Sequence, residues 1–332
     1  MTREDGKPLQ ARLLLIDPDE THLRWLARVI QSGLSDVEIC PRTSTAKDAE
    51  PYDLVVMSYD VLDTEVSARQ IMGVRKDHPG VPFLLISSSK HIYPRLVTGF
   101  RDKGMMNILA RKLRREWAPP SDLVVTLQKL LRQDIFGLDK YFPRWGMDPI
   151  SMIVRSTADK SDVLARAHDY AADLNIHPRL VPQFLTVVDE SISNALYNGP
   201  HDEHGQPRFA HLPRQTTVTL DDNEQVLVTL RCDGARLGVS VVDPFGTLTR
   251  DTIYDHLSKC FRRGRDQIDF DPGGAGIGLY VCFESLSHFV INLSAGKRTE
   301  VIGLIDVRGT YLDYVSEGKS FNVFETTEEG TS

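Results

Sequence analysis

The sequence predicts an α/β protein in two parts: a doubly wound parallel sheet over 11–134 and an α+β two-layer sandwich over 151–325, joined by a linker at 135–150. Three observations predict it. Short apolar runs alternate with amphipathic stretches up to about residue 134, the pattern of strands and crossover helices in a parallel sheet wrapped on both faces. Beyond residue 150 the order changes to helices first and consecutive strands after, which is how an α+β sandwich is written. Between them Gly137, Pro143, Gly146 and Pro149 punctuate the chain as a connector. A length of 332 residues suits two such parts at ~150 each, both long enough to bury a core without metal or disulfide staples.

In order along the chain, Leu13–Ile16, Val37–Cys40, Leu54–Met57, Phe83–Ile86 and Ile108–Leu109 read as strands. Leu23–Ile30 and Val66–Val74 read as the helices between them, and Ser121–Gln133 closes the first part. The connector carries Tyr141, Phe142 and Trp145, so it is expected to be packed rather than loose. Val163–Leu174 and Arg179–Tyr197 are the helices of the second part. Thr216–Leu220, Val226–Leu230 and Leu237–Val242 are its strands, with hairpin turns at Asp222-Asn223 and Asp233-Gly234. A helix follows over Tyr280–Ser287, and the chain ends in a short acidic tail, Thr326–Ser332. No internal repeat is present.

Composition excludes several classes. Of the residues, 41% are hydrophobic and 26% charged, and no stretch approaches the ~20 apolar residues of a membrane span, so neither disorder nor a membrane partner is expected. The start MTREDGKPLQ lacks the apolar core of a secretory signal, and the expected location is cytoplasmic. Lys and Arg number 39 against 46 Asp and Glu, a net charge of −7 that argues against nucleic acid as a partner. Two basic runs, Arg111-Lys112-Leu113-Arg114-Arg115 and Arg262-Arg263-Gly264-Arg265, read as solvated surface. Cys40, Cys232, Cys260 and Cys282 fall singly, without the spacing of a zinc site or a disulfide framework.

Over 11–134, ARLLLIDPDE, YDLVVMSYDVLD, PFLLISSSK and GMMNILARK resemble the receiver domain of bacterial response regulators. The resemblance implies acidic Mg²⁺ ligands after the first strand, an Asp phosphoacceptor ending the third, a hydroxyl ending the fourth and a Lys ending the fifth. Asp17 matches the first acidic position, Pro18 takes the second with Asp19 beyond it, and Ser87 matches the hydroxyl. Ser58 stands at the acceptor position and Arg111 at that of the Lys, followed by Lys112. Ser cannot form an acyl phosphate, so the domain is expected to serve docking or dimerisation. A shifted acceptor at Asp60, on the same strand face, is the alternative.

In the second part, Val181, Phe184, Leu185, Val188, Ile192, Ala195 and Leu196 form one apolar stripe, leaving Glu190 and Asn194 on the other side. Asp243-Pro244-Phe245-Gly246 ends a strand, and Gly274-x-Gly276-x-Gly278 opens a helix, where free N–H groups favour phosphate. A Rossmann site fits poorly, since no strand directly precedes this loop, and a Walker loop is excluded by the missing Gly-Lys-Ser/Thr.

Glu190-x3-Asn194, Asp243, the glycine loop and Gly296-x2-Thr299 together resemble the ATPase domain shared by histidine kinases, gyrase B, Hsp90 and MutL. The helix VVDESISNALYNG is most similar to that of the anti-sigma-factor serine kinases. The resemblance implies ATP and Mg²⁺ as cofactors. Asn194 would hold the metal, Asp243 the adenine amine with Thr299 in support, and Gly246, Gly274, Gly276 and Gly278 the nucleotide, with Glu190 as catalytic base. Residues 247–272, with Arg262, Arg263 and Arg265, would form a mobile lid. Phe245 and Thr247 replace the family's glycines near the adenine, where Phe245 either stacks on the base or narrows the pocket. No His-Glu-x-x-x-Pro helix precedes the domain, so His autophosphorylation is not expected, and His168 and His177 read as surface or capping residues. The implied function is a signalling regulator that phosphorylates or sequesters a partner protein, such as a sigma-factor regulator. The alternative is a noncatalytic, nucleotide-responsive scaffold, and a homodimer is compatible with either.

Overall fold

The computed structural model describes residues 11–43, 51–59, 64–87, 107–111, 118–144, 148–263 and 277–326. The chain divides into two compact units, Met1–Asp134 and Ile135–Ser332. The 135–150 segment, expected to stand between the two, is grouped with the second unit.

The first unit runs β1 (Ala11–Ile16), α1 (Glu20–Gly33), β2 (Val37–Arg42), β3 (Leu54–Tyr59), α2 (Thr64–Asp77), β4 (Phe83–Ser87), β5 (Asn107–Ala110) and α3 (Pro120–Arg132). Its strands pair in parallel in the order β2-β1-β3-β4-β5, the doubly wound order of receiver-like folds. Continuous apolar runs suit strands covered on both faces: all four residues of Leu13–Ile16 and all five of Phe83–Ser87 are buried. Asp19 caps α1, accepting from the Thr21 and His22 amides at 2.7 and 3.2 Å. Leu23, Leu26 and Ile30 of that helix enter the core.

The second unit contains a short 3₁₀ turn (Leu138–Tyr141), β6 (Ile150–Val154), α4 (Thr157–Asp173), α5 (Val181–Tyr197), β7 (Val226–Cys232) and β8 (Arg236–Asp243). There follow α6 (Arg250–Arg263), α7 (Ile277–Glu284), β9 (His288–Ser294), β10 (Arg298–Asp306), α8 (Tyr311–Ser316) and β11 (Ser320–Thr326). The sheet order is β11-β9-β10-β8-β7-β6, antiparallel except for the parallel β9–β11 pair. A capping box between Ser156 and Asp159 starts α4. Asp233-Gly234 forms the β7–β8 turn with Gly234 at φ +81°, as its sequence requires.

One expectation fails here: the expected strand at 216–220 is only an isolated bridge, Ser156↔Thr219, flanked by two backbone hydrogen bonds to 155 and 157. Of the expected lid over 247–272, Arg250–Arg263 is helical, because Ile253, Leu257 and Cys260 recur at helical spacing and are buried, and 264–272 lie outside the described residues. No described helix is long and apolar enough to cross a membrane.

Candidate functional site

At the C-terminal ends of β1, β3 and β5 the first unit gathers Asp17, His22, Ser58 and Arg111. The buried Asp17 carboxylate accepts from the Ser58 hydroxyl and the His22 ring, from Arg111 Nη2 at 3.2 Å and from the Asp19 amide at 2.8 Å. Burial pushes this carboxyl up, but the hydrogen bonds of His22, Ser58 and Asp19 outweigh it and hold it below the ordinary carboxylate range. The carboxylate expected to bind Mg²⁺ is thus committed to four internal donors, and Asp19 is spent on capping α1. Ser58 is itself buried. Asp60 and Lys112 lie outside the described residues.

In the second unit a cavity of about 370 Å³ opens between α5, α6, α7 and the ends of β8 and β10. Asn194, Asp243, Thr247, His256 and Thr299 are among its lining residues. Asp243 ends β8 and pairs in register with Thr299 on β10. Its carboxylate accepts from the Phe245 amide at 2.9 Å, the Gly246 amide at 3.3 Å and Thr299. Burial pushes Asp243 up to about 6 against the pull of these donors. His256 of α6 is pushed down by burial and by Lys259.

Asn194 lies on α5, where its side-chain oxygen accepts from Asn198 Nδ2 at 3.1 Å. Glu190 and Asn194 do not face open solvent: both abut Gly278 in the first turn of α7, and a Cβ there would collide with the Glu190 carboxylate. The reason is that α5 is buried on two sides, with Val187, Ser191 and Ser193 enclosed as well as the expected stripe, while Val181 and Leu185 are only partly covered. Glu190 is not among the residues lining the cavity. Burial and then Asp189 push its carboxyl up, while Arg214 and Lys160 pull it back. Lys160 is tied to Asp189 at 2.6 Å and to the Ser193 hydroxyl at 3.0 Å.

Gly246, expected against the nucleotide, is a seat for the β9–β10 turn and is not among the lining residues. It sits at φ +60°, and a Cβ there would be 2.5 Å from the Lys297 nitrogen and 2.8 Å from that of Arg298. Phe245 is not among the lining residues; its ring packs behind Gly199, which is, where a Cβ would come within 2.5 Å of its Cδ2. Thr247 does line the cavity and donates to the Gly199 carbonyl at 3.1 Å. Gly274, Gly276 and Arg265 lie outside the described residues. His168 and His177 are exposed, and His177 accepts from the Arg179 amide at 3.2 Å.

Sequence reasoning missed the wall formed by the segment after α5, where His201, Pro207 and Ala210 line the cavity. His201 Nδ1 is fixed on the Gly199 carbonyl at 2.9 Å, and Asp202 closes the loop by accepting from the His204 and Gln206 amides at 2.9 and 2.8 Å. The Gly-Pro-His-Asp run was a turn signal, but nothing local says which surface such a loop covers.

No known family's sequence profile matches the chain, and no curated protein matches it. Several solved structures resemble its N-terminal part. The chemotaxis response regulator CheY4 of Vibrio cholerae is 16% identical, the match covering 37% of this chain and all of that one at a TM-score of 0.30. A CheY-like receiver domain protein from Methanospirillum hungatei is 13% identical over 38% of this chain and 96% of that one, with a TM-score of 0.31. The Thermotoga maritima response regulator DrrB is 15% identical over 38% of this chain and 54% of that one, with a TM-score of 0.30. The strand order by itself fixes the first unit as a doubly wound, receiver-like fold.

Proposed function

We propose that the second unit binds an adenine nucleotide with Mg²⁺ and that the chain uses it to phosphorylate, or to sequester, a partner protein, in the manner of the anti-sigma-factor serine kinases its α5 sequence resembles. The Asp243–Thr299 pair carries this reading. A buried carboxylate at the wall of a cavity of about 370 Å³ is an acceptor that an exocyclic amine satisfies, and that volume suits a small organic ligand.

The donor set fits the cofactors. Asn194 keeps an oxygen lone pair after accepting from Asn198, which suits an oxygen-seeking metal. Gly278 lets the first turn of α7 come close, and its N–H groups suit phosphate. Among the described lining residues there is no Lys or Arg, so the metal is the fitting counter-charge. When bound, the metal nucleotide supplies an activated phosphoryl group. Glu190, a carboxylate with a raised proton affinity beside Gly278, would take the proton of a partner's Ser or Thr hydroxyl.

The noncatalytic scaffold is the second reading, favoured by the position of Glu190 outside the cavity lining. Calorimetry with Mg²⁺-ATP, ADP and GTP tests the binding claim. Adenine nucleotides are expected to win, with Asp243→Asn binding about 5- to 150-fold more weakly for the loss of ~1–3 kcal/mol, and Glu190→Ala binding nearly as well as wild type. Equal GTP binding, or no binding at millimolar nucleotide, refutes the reading. ATP turnover that Glu190→Ala abolishes separates kinase from scaffold.

A further inference from the structure

Alternate residues of a strand face opposite ways, and in the second unit the two faces have different tenants. Asp243 and Thr299 line the cavity on one face. On the other, Glu300 is buried, and its carboxylate accepts from Ser240 Oγ at 2.7 Å, Asn292 Nδ2 at 2.7 Å and the Gly137 amide at 2.9 Å. Gly137 belongs to the segment 135–143, which lies along that face. The Arg298 guanidinium sits 3.6 Å from the Phe136 ring centroid, and Phe142 packs so closely on Gly238 that a Cβ there would be 2.8 Å from its Cζ. Arg231 donates to the Pro143 carbonyl at 3.1 Å, and Tyr141 meets His288 edge-on at 5.5 Å.

We propose that 135–143 is a strap that holds Asp243 in its binding geometry, with Glu300 as the positioning residue between them; its bearing on nucleotide rests on the reading above. A buried carboxylate needs its donors, so β10 and the strap settle together. Glu300 and Thr299 are consecutive. If the strap lifts and Glu300 follows its lost donor, β10 carries Thr299 away from Asp243. Because α3 ends at Arg132 and the strap begins three residues later, whatever engages the first unit has a covalent route to the cavity. Coupling is reciprocal, so a ligand that fixes Asp243 also fixes the strap.

The test uses the full chain. Phe142→Leu trims the strap's contact with Gly238, and Glu300→Gln removes the charge while keeping the shape. In Phe142→Leu the Asp243 carboxyl followed by carbon-13 NMR is expected to titrate above its wild-type midpoint, because the donor that lowers it is lost; Glu300→Gln, which also removes a neighbouring negative charge, is read by amide exchange and nucleotide binding. The Gly137 amide should exchange roughly tenfold faster, and Mg²⁺-ATP should bind about fivefold more weakly. Thr299→Val, on the opposite face, should also hasten exchange at Gly137. An unmoved Asp243 titration in Phe142→Leu whose Gly137 amide has lost protection overturns the strap, and so does unchanged Gly137 exchange in both Phe142→Leu and Glu300→Gln. Absence of nucleotide binding in wild type, with the Asp243 shift intact, upholds the coupling and refutes the nucleotide reading instead.

Discussion

Asp243 stores stability against function. Burial holds its proton affinity up to about 6, against 3.8 for the ordinary group, so the folded chain binds the proton more tightly than the unfolded one. The sign follows: this group costs the fold most above pH 6, and the cost fades as pH falls towards 3.8. Asp243→Asn is therefore expected to raise stability at pH 7.5 by up to about 3 kcal/mol for two pKa units, read as a higher Tm, and to lose that gain near pH 4. Ligand binding runs the other way, because the ionised carboxylate is the stronger acceptor for an amine. Affinity should fall as pH drops through 6, by at most tenfold per unit, and calorimetry between pH 5 and 8 reads it. A variant that is both more stable and poorer at binding marks a residue kept for its site rather than for the fold.

The β9–β10 hairpin and Gly246 show the same division at the level of elements. Gly246 donates to Asp243 through its N–H, accepts from Gly296 N at 3.0 Å, and leaves no room for a Cβ against the Lys297 and Arg298 nitrogens. Gly246→Ala meets backbone at φ +60° and is expected to destabilise by more than about 2 kcal/mol, measured by urea unfolding, with binding weakened in whatever remains folded. Sequence made the first-unit strands legible, because buried parallel strands are written as unbroken apolar runs. It also made α5, the Asp233-Gly234 turn and the strand end at Asp243 legible, all local signals. It did not resolve β9, β10 or β11 as strands, because Asn292, Glu300 and Asn322 interrupt their apolar pattern and are buried only through partners distant in sequence. The strap was legible in the packing of Tyr141 and Phe142, Trp145 lying outside the described residues, but not as a part of the second unit, since Phe142 finds Gly238 and Gly137 finds Glu300 across about a hundred residues or more.

For the whole molecule, the two units present different centres. The first has a receiver-like fold whose acidic centre is already neutralised: Asp17 holds Arg111 at 3.2 Å together with the Ser58 hydroxyl and the His22 ring. A cation would have to displace an internal guanidinium to bind there. The full chain incubated with acetyl phosphate and Mg²⁺ should acquire no hydroxylamine-labile phosphate in residues 11–134, as peptide mapping would report; such a phosphopeptide would refute the reading that this unit takes no phosphoryl group. The second unit keeps the open cavity, and any chemistry the chain performs is expected there.

Parity along β10 also governs how the length of this chain can change. Deleting one residue between Ser294 and Arg298 turns the strand over, so that Glu300 takes Thr299's place opposite Asp243 and two carboxylates meet where a hydroxyl should be. Gly246, seated against that turn, leaves no slack to absorb the change. The 202–206 loop closes on Asp202 alone, with Gly205 at φ +74° and open space around it. Relatives of this protein should therefore differ in length at the second loop and hold the first constant to the residue.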